Sequence, residues 1–157
     1  MKNIQNLLDN ILTKMNHDKI HKFCKEYNIQ NYTINSDGSI DVDQMVIINK
    51  KMKRIPIKFN KVYGSFYCRN IGLLTLENSP NYVGGTFYSD NNKLTSLYGC
   101  PKNVVGYFFV LDNPLETLDG YNNFEDLYYK YLSCDNQSKL VSKHKRSNRL
   151  KHILNTL

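Results

Sequence analysis

A 21-residue period runs through the middle of this chain. The blocks 52–72, 73–93 and 94–114 overlay on one another. Met52, Leu73 and Leu94 open them, and Ile55, Leu76 and Leu97 follow three residues later. The columns Val62/Val83/Val104, Gly64/Gly85/Gly106 and Phe66/Phe87/Phe108 come next. Cys68/Ser89/Val110, Asn70/Asn91/Asp112 and Ile71/Asn92/Asn113 complete the pattern. A fixed period of this length requires stacked units, each burying its apolar side on the next. It also directs a search for function to ladders of equivalent surface positions rather than to an enclosed cleft.

Anchored on Asn113, the apolar residues Val105, Phe108, Val110, Leu115 and Leu118 have the spacing L-x-x-L-x-L-x-x-N-x-L-x-x-L. Anchored on Asn92, Phe87, Ser89, Leu94 and Leu97 take the same slots. This spacing resembles the leucine-rich repeat. The resemblance implies one short strand per coil, with parallel strands lining a curved face. The residues read the same way. Alternating Phe108 and Val110 point to one side of a strand, and the Asn can cap backbone groups where the chain turns. Upstream, Val42, Met45, Ile47, Met52 and Ile55 fit the register, with Lys50 in the Asn slot. Downstream, Phe124, Leu127, Tyr129 and Leu132 fit once the connection is shortened by two residues. The expectation is an α/β repeat solenoid of about five short parallel strands over 40–132. Pro56, Pro80 and Pro101 favour extended or turn connections over convex helices. The glycine column predicts a bend or close packing before each strand.

The length is that of one domain, 1–157, able to bury a core without staples. No apolar run is long enough to span a membrane. The stretch MKNIQNLLDNILTKM is interrupted by Asn6, Asp9 and Asn10, unlike a signal peptide, so a cytoplasmic protein is expected. Cys24, Cys68, Cys100 and Cys134 are dispersed, with no CxxC pair, and are expected as free thiols.

The units outside the period are helical by spacing. Ile4, Leu7, Leu8, Ile11, Leu12 and Met15 form one apolar stripe. Its phase breaks near Asn16-His17-Asp18, where Asn16 or Asp18 can cap a new turn, and Ile20, Phe23, Cys24 and Tyr27 form a second stripe. A helical cap over 3–28 is expected to cover the open end of the solenoid. Asn35-Ser36-Asp37-Gly38 predicts a turn between cap and solenoid. Residues 137–157 predict a basic helix. Lys139, Lys143, Lys145, Arg146, Arg149 and Lys151 leave 15 basic and 14 acidic residues elsewhere, so this one segment holds nearly all of the +7 net charge. Leu150, Ile153, Leu154 and Leu157 give it an apolar edge.

Candidate sites follow from these ladders. The outward central slot of successive strands holds Val46, Tyr67, Tyr88, Phe109 and Tyr128. Gln44, Ser65, Thr86, Tyr107 and Asp126 precede it; Ile48, Arg69, Asp90, Leu111 and Lys130 follow. An aromatic strip on a concave face, with Tyr107, Arg69, Asp90 and Leu111 beside it, reads as a protein-binding surface. Two other readings stay open: stacking for strand stability, or coverage by a terminal helix. The basic segment reads either as a contact for phosphates or an acidic partner, or as a solvated cap. His17, His21 and Cys24 share one helical face at metal-ligand spacing, but nothing completes a tetrahedral set. No nucleophile elbow, P-loop, HExxH or dinucleotide fingerprint is present, so neither catalysis nor a cofactor or metal is expected.

The segment from Tyr82 to Leu97 is similar to repeats of short phage, prophage and large-virus proteins. That resemblance implies a non-enzymatic module that binds a protein partner, one version being an inhibitor of a host defence complex. Nucleic-acid or nucleoprotein binding through 139–151, and a self-associating structural subunit, are the rival expectations.

Overall fold

Two short strands per coil, not one, build the stack. The computed structural model describes residues 2–120 and Arg146. It begins with helix α1 (Lys2–Glu26) and a hairpin of β1 (Tyr32–Ile34) and β2 (Ile40–Val42). Then come β3 (Val46–Ile47), β4 (Phe59–Val62), β5 (Phe66–Tyr67), β6 (Tyr82–Val83), β7 (Phe87–Tyr88), β8 (Asn103–Val104) and β9 (Phe108–Phe109). One sheet has the order β1-β2-β4-β6-β8 and the other β3-β5-β7-β9. All pairings are parallel except the antiparallel β1–β2. The result is a β-solenoid of about three turns behind an N-terminal helix. The fifth expected strand, with Phe124, Leu127, Tyr129 and Leu132, lies outside the described residues, as does the expected basic helix over 137–157 apart from Arg146.

The second ladder arises because each coil bends twice. Val62, Val83 and Val104 end strands of the first sheet, and the chain re-enters a strand four residues later at Phe66, Phe87 and Phe108. The glycine column lies at this bend. A side chain at Gly64 would bring its Cβ within 2.8 Å of the Gln44 carbonyl carbon, and at Gly106 within 2.8 Å of Gly85. Close approach of successive coils therefore excludes a Cβ there. The other corners use left-handed backbone. Asn70, Asn91 and Asp112 have φ of 54°, 56° and 53°, and Asn78, Gly99 and Gly120 have 69°, 81° and 99°. Asn, Asp and Gly are the residues that adopt this region at low cost.

The core is a file of aromatics. Phe59, Phe66 and Phe87 are fully buried, and Phe108 nearly so. Phe66 stacks on Phe87 at 5.6 Å, and Phe87 lies 5.3 Å from Phe108. Asn92 fixes the turn beside this file. Its Oδ1 accepts from the backbone N–H of Ile71, Gly72 and Leu73 at 3.1, 2.9 and 3.1 Å. Its Nδ2 donates to the carbonyls of Cys68, Ser89 and Asp90. Asn113 repeats the arrangement one coil later, accepting from Leu94 and donating to Ser89, Val110 and Leu111. The expected capping role of the Asn column is thus met by side chains that tie one coil to the next.

Two sequence expectations need correction. The first coil is shorter by one residue: Val46 pairs with Phe66 and Ile47 with Tyr67. Val46 and Ile48 are therefore buried, while Met45 and Ile47 are about half exposed. A strict 21-residue register had these four reversed, because a one-residue slip moves every strand side chain to the other face. The second correction concerns α1, which runs unbroken through Asn16-His17-Asp18. No Gly or Pro interrupts it, and Asn and Asp cost an interior helix well under 1 kcal/mol each. Only its second half packs on the solenoid, with Ile20, Phe23 and Cys24 buried and Phe23 edge-on to Phe59 at 6.2 Å. The 35–38 turn closes the β1–β2 hairpin, so β1 adds an antiparallel strand at the end of the first sheet.

Three thiols are sealed in this core: Cys24, Cys68 and Cys100 are buried and unbridged. Burial pushes Cys24 up to about 11, against the opposing hydrogen bond from Tyr32, and Cys100 up to about 12. Burial, helped by the charge of Asp90, raises Cys68 as well. Native protein at pH 8 is expected to alkylate at these three sites at least ~100-fold more slowly than denaturant-unfolded protein. Peptide mass spectrometry after timed iodoacetamide exposure checks this. Because each folded value exceeds the unfolded one, their contribution to stability is present below the ordinary thiol value of 9.0. It is lost as pH rises from there toward about 11–12.

Candidate functional site

The outward side of the second ladder carries a continuous aromatic stack. Strand alternation turns Phe66, Phe87 and Phe108 inward and leaves Tyr67, Tyr88 and Phe109 on the opposite side. The parallel register sets Tyr67 against Tyr88 and Tyr88 against Phe109. Their rings lie 4.4 Å apart at 10° and 5.1 Å apart at 17°. All three are half-buried, so each ring is covered by its neighbours yet keeps an edge toward solvent. Tyr107 extends the group, 6.0 Å from Phe109 and 51% exposed. Desolvation within the stack, and then the neighbouring Tyr67 phenol, raise Tyr88 above its ordinary value.

The flanking columns are built by the same register. Ser65 Oγ accepts from Thr86 N–H and Thr86 Oγ1 from Tyr107 N–H, at 3.0 and 3.1 Å. On the other flank Arg69 and Asp90 form an ion pair at 3.0 Å. The Arg69 side chain is 55% exposed and that of Asp90 10%, so the pair joins a surface cation to a buried anion. Asp90 Oδ2 takes the Arg69 contact and a long bond from Asn91, whereas Oδ1 has no hydrogen-bond partner among the described residues. A cleft of about 280 Å³ opens here, between Tyr88 and Phe109 on one side and Arg69, Asp90 and Leu111 on the other.

Of the residues expected at a protein-binding site, Tyr67, Tyr88, Phe109, Tyr107, Arg69, Asp90 and Leu111 thus fall on one surface. Tyr128 lies outside the described residues. Val46 does not belong to the strip, and Ile47 stands at its head. Asn91 and Asp112 also line the cleft. They were legible only as repeat positions, because their left-handed backbone, rather than strand alternation, turns them toward it. Of the basic set, Arg146 is helical and exposed. Lys139, Lys143, Lys145, Arg149 and Lys151 lie outside the described residues.

The His17/His21/Cys24 face has a different use. His21 Nδ1 meets the Tyr32 hydroxyl at 2.5 Å, and His17 contacts His21 edge-on at 6.4 Å. Cys24 is buried and its thiol is held protonated by that burial. The contact between His21 and Tyr32 joins the helix to β1. Among the described residues, no group of three or more His, Cys, Asp or Glu is arranged to hold a metal ion, and no helix is long and apolar enough to cross a membrane.

No family model matches the chain, and neither a curated protein nor a solved structure is similar enough to count as a match.

Proposed function

We propose that this chain is a non-enzymatic module that recognises a protein partner through the aromatic face of its second ladder. The observation that supports the reading most is the stack of Tyr67, Tyr88 and Phe109, each with an edge toward solvent, beside the Arg69–Asp90 cleft. Rigid aromatics lose little entropy on binding, and interface energy concentrates on such residues when polar groups rim them. A ladder also fits a long, shallow target better than a small molecule. The phage- and virus-type resemblance supports taking a host complex as the first partner to test.

The test is affinity capture from host lysate, with nuclease and salt arms. The Tyr67→Ala/Tyr88→Ala double variant is expected to lose capture by at least ~10-fold, the scale of a single interface anchor. Tyr67→Phe/Tyr88→Phe, which keeps the stack, is expected to retain most of it. Capture should survive nuclease and change little between about 0.1 and 0.5 M salt, since steep salt dependence marks phosphate contacts. Undiminished capture by the alanine variant means that the face is not the interface. The concentration of charge in residues 139–151 supports the second reading, nucleic-acid binding. It is tested by replacing Lys143, Lys145, Arg146 and Arg149 with Gln. Loss of nuclease-sensitive, salt-sensitive retention in that variant alone would favour it.

A further inference from the structure

The first half of α1 carries six large apolar side chains that the other described residues leave largely uncovered. Ile4, Leu7, Leu8, Ile11, Leu12 and Met15 are 47–67% exposed. At 3.6 residues per turn, their stripe points roughly 145° away from the face of Ile20, Phe23 and Cys24 that docks on the solenoid. The phase change at residues 16–18 therefore does not end the helix. It turns one apolar face inward and the other outward, so the outer stripe cannot reach the core that the inner one seals.

We propose that this outer stripe is a self-association surface, on which two copies pair as antiparallel helices. The spacing of the seam residues Ile4, Leu8, Ile11 and Met15 is four, three, four, that of a coiled-coil seam, with Leu7 and Leu12 at its flanks. The pattern is also its own mirror image about the point between Asp9 and Asn10. Leu8 matches Ile11, Leu7 matches Leu12, and Ile4 matches Met15. A two-fold axis through that point sets every apolar residue opposite another, which is the self-complementarity an isologous dimer requires. A parallel pairing would instead give each residue its own identical neighbour and gain nothing from the symmetry.

Charge and area select the same occupant. Between residues 3 and 17 the only charges are Asp9 and Lys14. Asp9 accepts from Gln5 within the helix at 2.9 Å. This neutral polar side lacks the lysines and arginines of a helix that lies on anionic lipid. It neither attracts a highly charged partner nor makes two copies repel. The six side chains expose roughly 700 Å² per copy, the most that the pairing can bury through them and less than the ~800 Å² per partner of a standard stable interface, as suits a weak dimer. A dimer in the micromolar range is expected.

Sedimentation of the full chain from about 5 to about 200 µM tests the proposal. Wild type is expected to convert from monomer to dimer across that range. Leu8→Lys/Ile11→Lys, at the two-fold centre, should raise the dissociation constant at least ~100-fold and leave the thermal transition of the solenoid in place. Cross-linking tests the geometry independently of any loss of helix. In a Cys134→Ser background, copies carrying Ile4→Cys should form a disulfide with copies carrying Met15→Cys faster than with each other. Wild type that stays monomeric at 200 µM overturns the proposal, as happens if the stripe is covered by the Leu150/Ile153/Leu154/Leu157 edge of the same chain. Preferential Ile4→Cys self-cross-linking overturns the antiparallel pairing. Co-sedimentation of monomer with phosphatidylserine vesicles, lost in Leu8→Lys/Ile11→Lys, would assign the stripe to a membrane instead.

Discussion

Asn92→Ala is expected to lower the unfolding free energy by about 3–5 kcal/mol, a large share of what a domain of this size has. The reason is the asymmetry of a lost capping group. Alanine removes the acceptor of three backbone N–H groups, on Ile71, Gly72 and Leu73, two of which belong to buried residues. Each N–H left unsatisfied away from water costs about 1–3 kcal/mol. The carbonyls of Cys68 and Ser89 lose a donor as well. Asn92→Asp is the informative companion. It keeps the acceptor but replaces the amide donor with a charge beside those carbonyls, so it too should be strongly destabilising. Asn113→Ala should cost less, because Asn113 is only half-buried and caps a single N–H, that of Leu94. Urea titration reads these differences as shifts in midpoint at constant slope.

Phe87→Ala is expected to cost a further class of energy, about 3–5 kcal/mol of packing. Phe87 is fully buried between Phe66 and Phe108 in the core file. Truncation removes the ring on which both neighbours rest, and two flanking coils at fixed hydrogen-bonded spacing cannot collapse to fill the gap. The adjacent Tyr88→Ala is the control. Its ring is also stacked on both sides, but it is half-buried and outward, so a loss of about 1–2 kcal/mol is expected. The pair should separate cleanly: Phe87→Ala moves the urea midpoint far, whereas Tyr88→Ala moves it little and is expected to weaken partner capture.

The parts of the fold that were legible in the sequence are those repeated by residue type. The Phe66/Phe87/Phe108 and Gly64/Gly85/Gly106 columns gave the coil length, and alternation beside the Phe column placed Tyr67, Tyr88 and Phe109 on one outward strip. What escaped was carried by geometry that residue type encodes weakly. The other ladder shows one repeated apolar column, Val62/Val83/Val104, while Asn60, Asn81 and Lys102 two residues earlier are polar, so no alternation marks it as strand. The second corner uses Asn78, Gly99 and Gly120, which look unrelated until their shared left-handed backbone is known. The shortened first coil leaves no mark in a chain where Val46, Ile47 and Ile48 are all apolar. In the site, Arg69 and Asp90 were visible as members of one column. Their ion pair, and the Asp90 oxygen that has no hydrogen-bond partner among the described residues, depend on how closely two coils approach.

The stacking order has a mechanical consequence. In each described sheet every coil is bonded to the next one along, and the bonds linking coils join residues about one period apart, as in Thr86 to Ser65 or Asn92 to Cys68. Among the described residues, coils so connected form no strand clamp that must break all at once under tension. Load falls on the outermost coil, whose release leaves the next in the same position. Each release adds one period of slack, roughly 70 Å of contour at full extension. The protein should therefore lengthen under tension as a ratchet of near-equal increments, with the Asn-capped coils as its stiffest teeth.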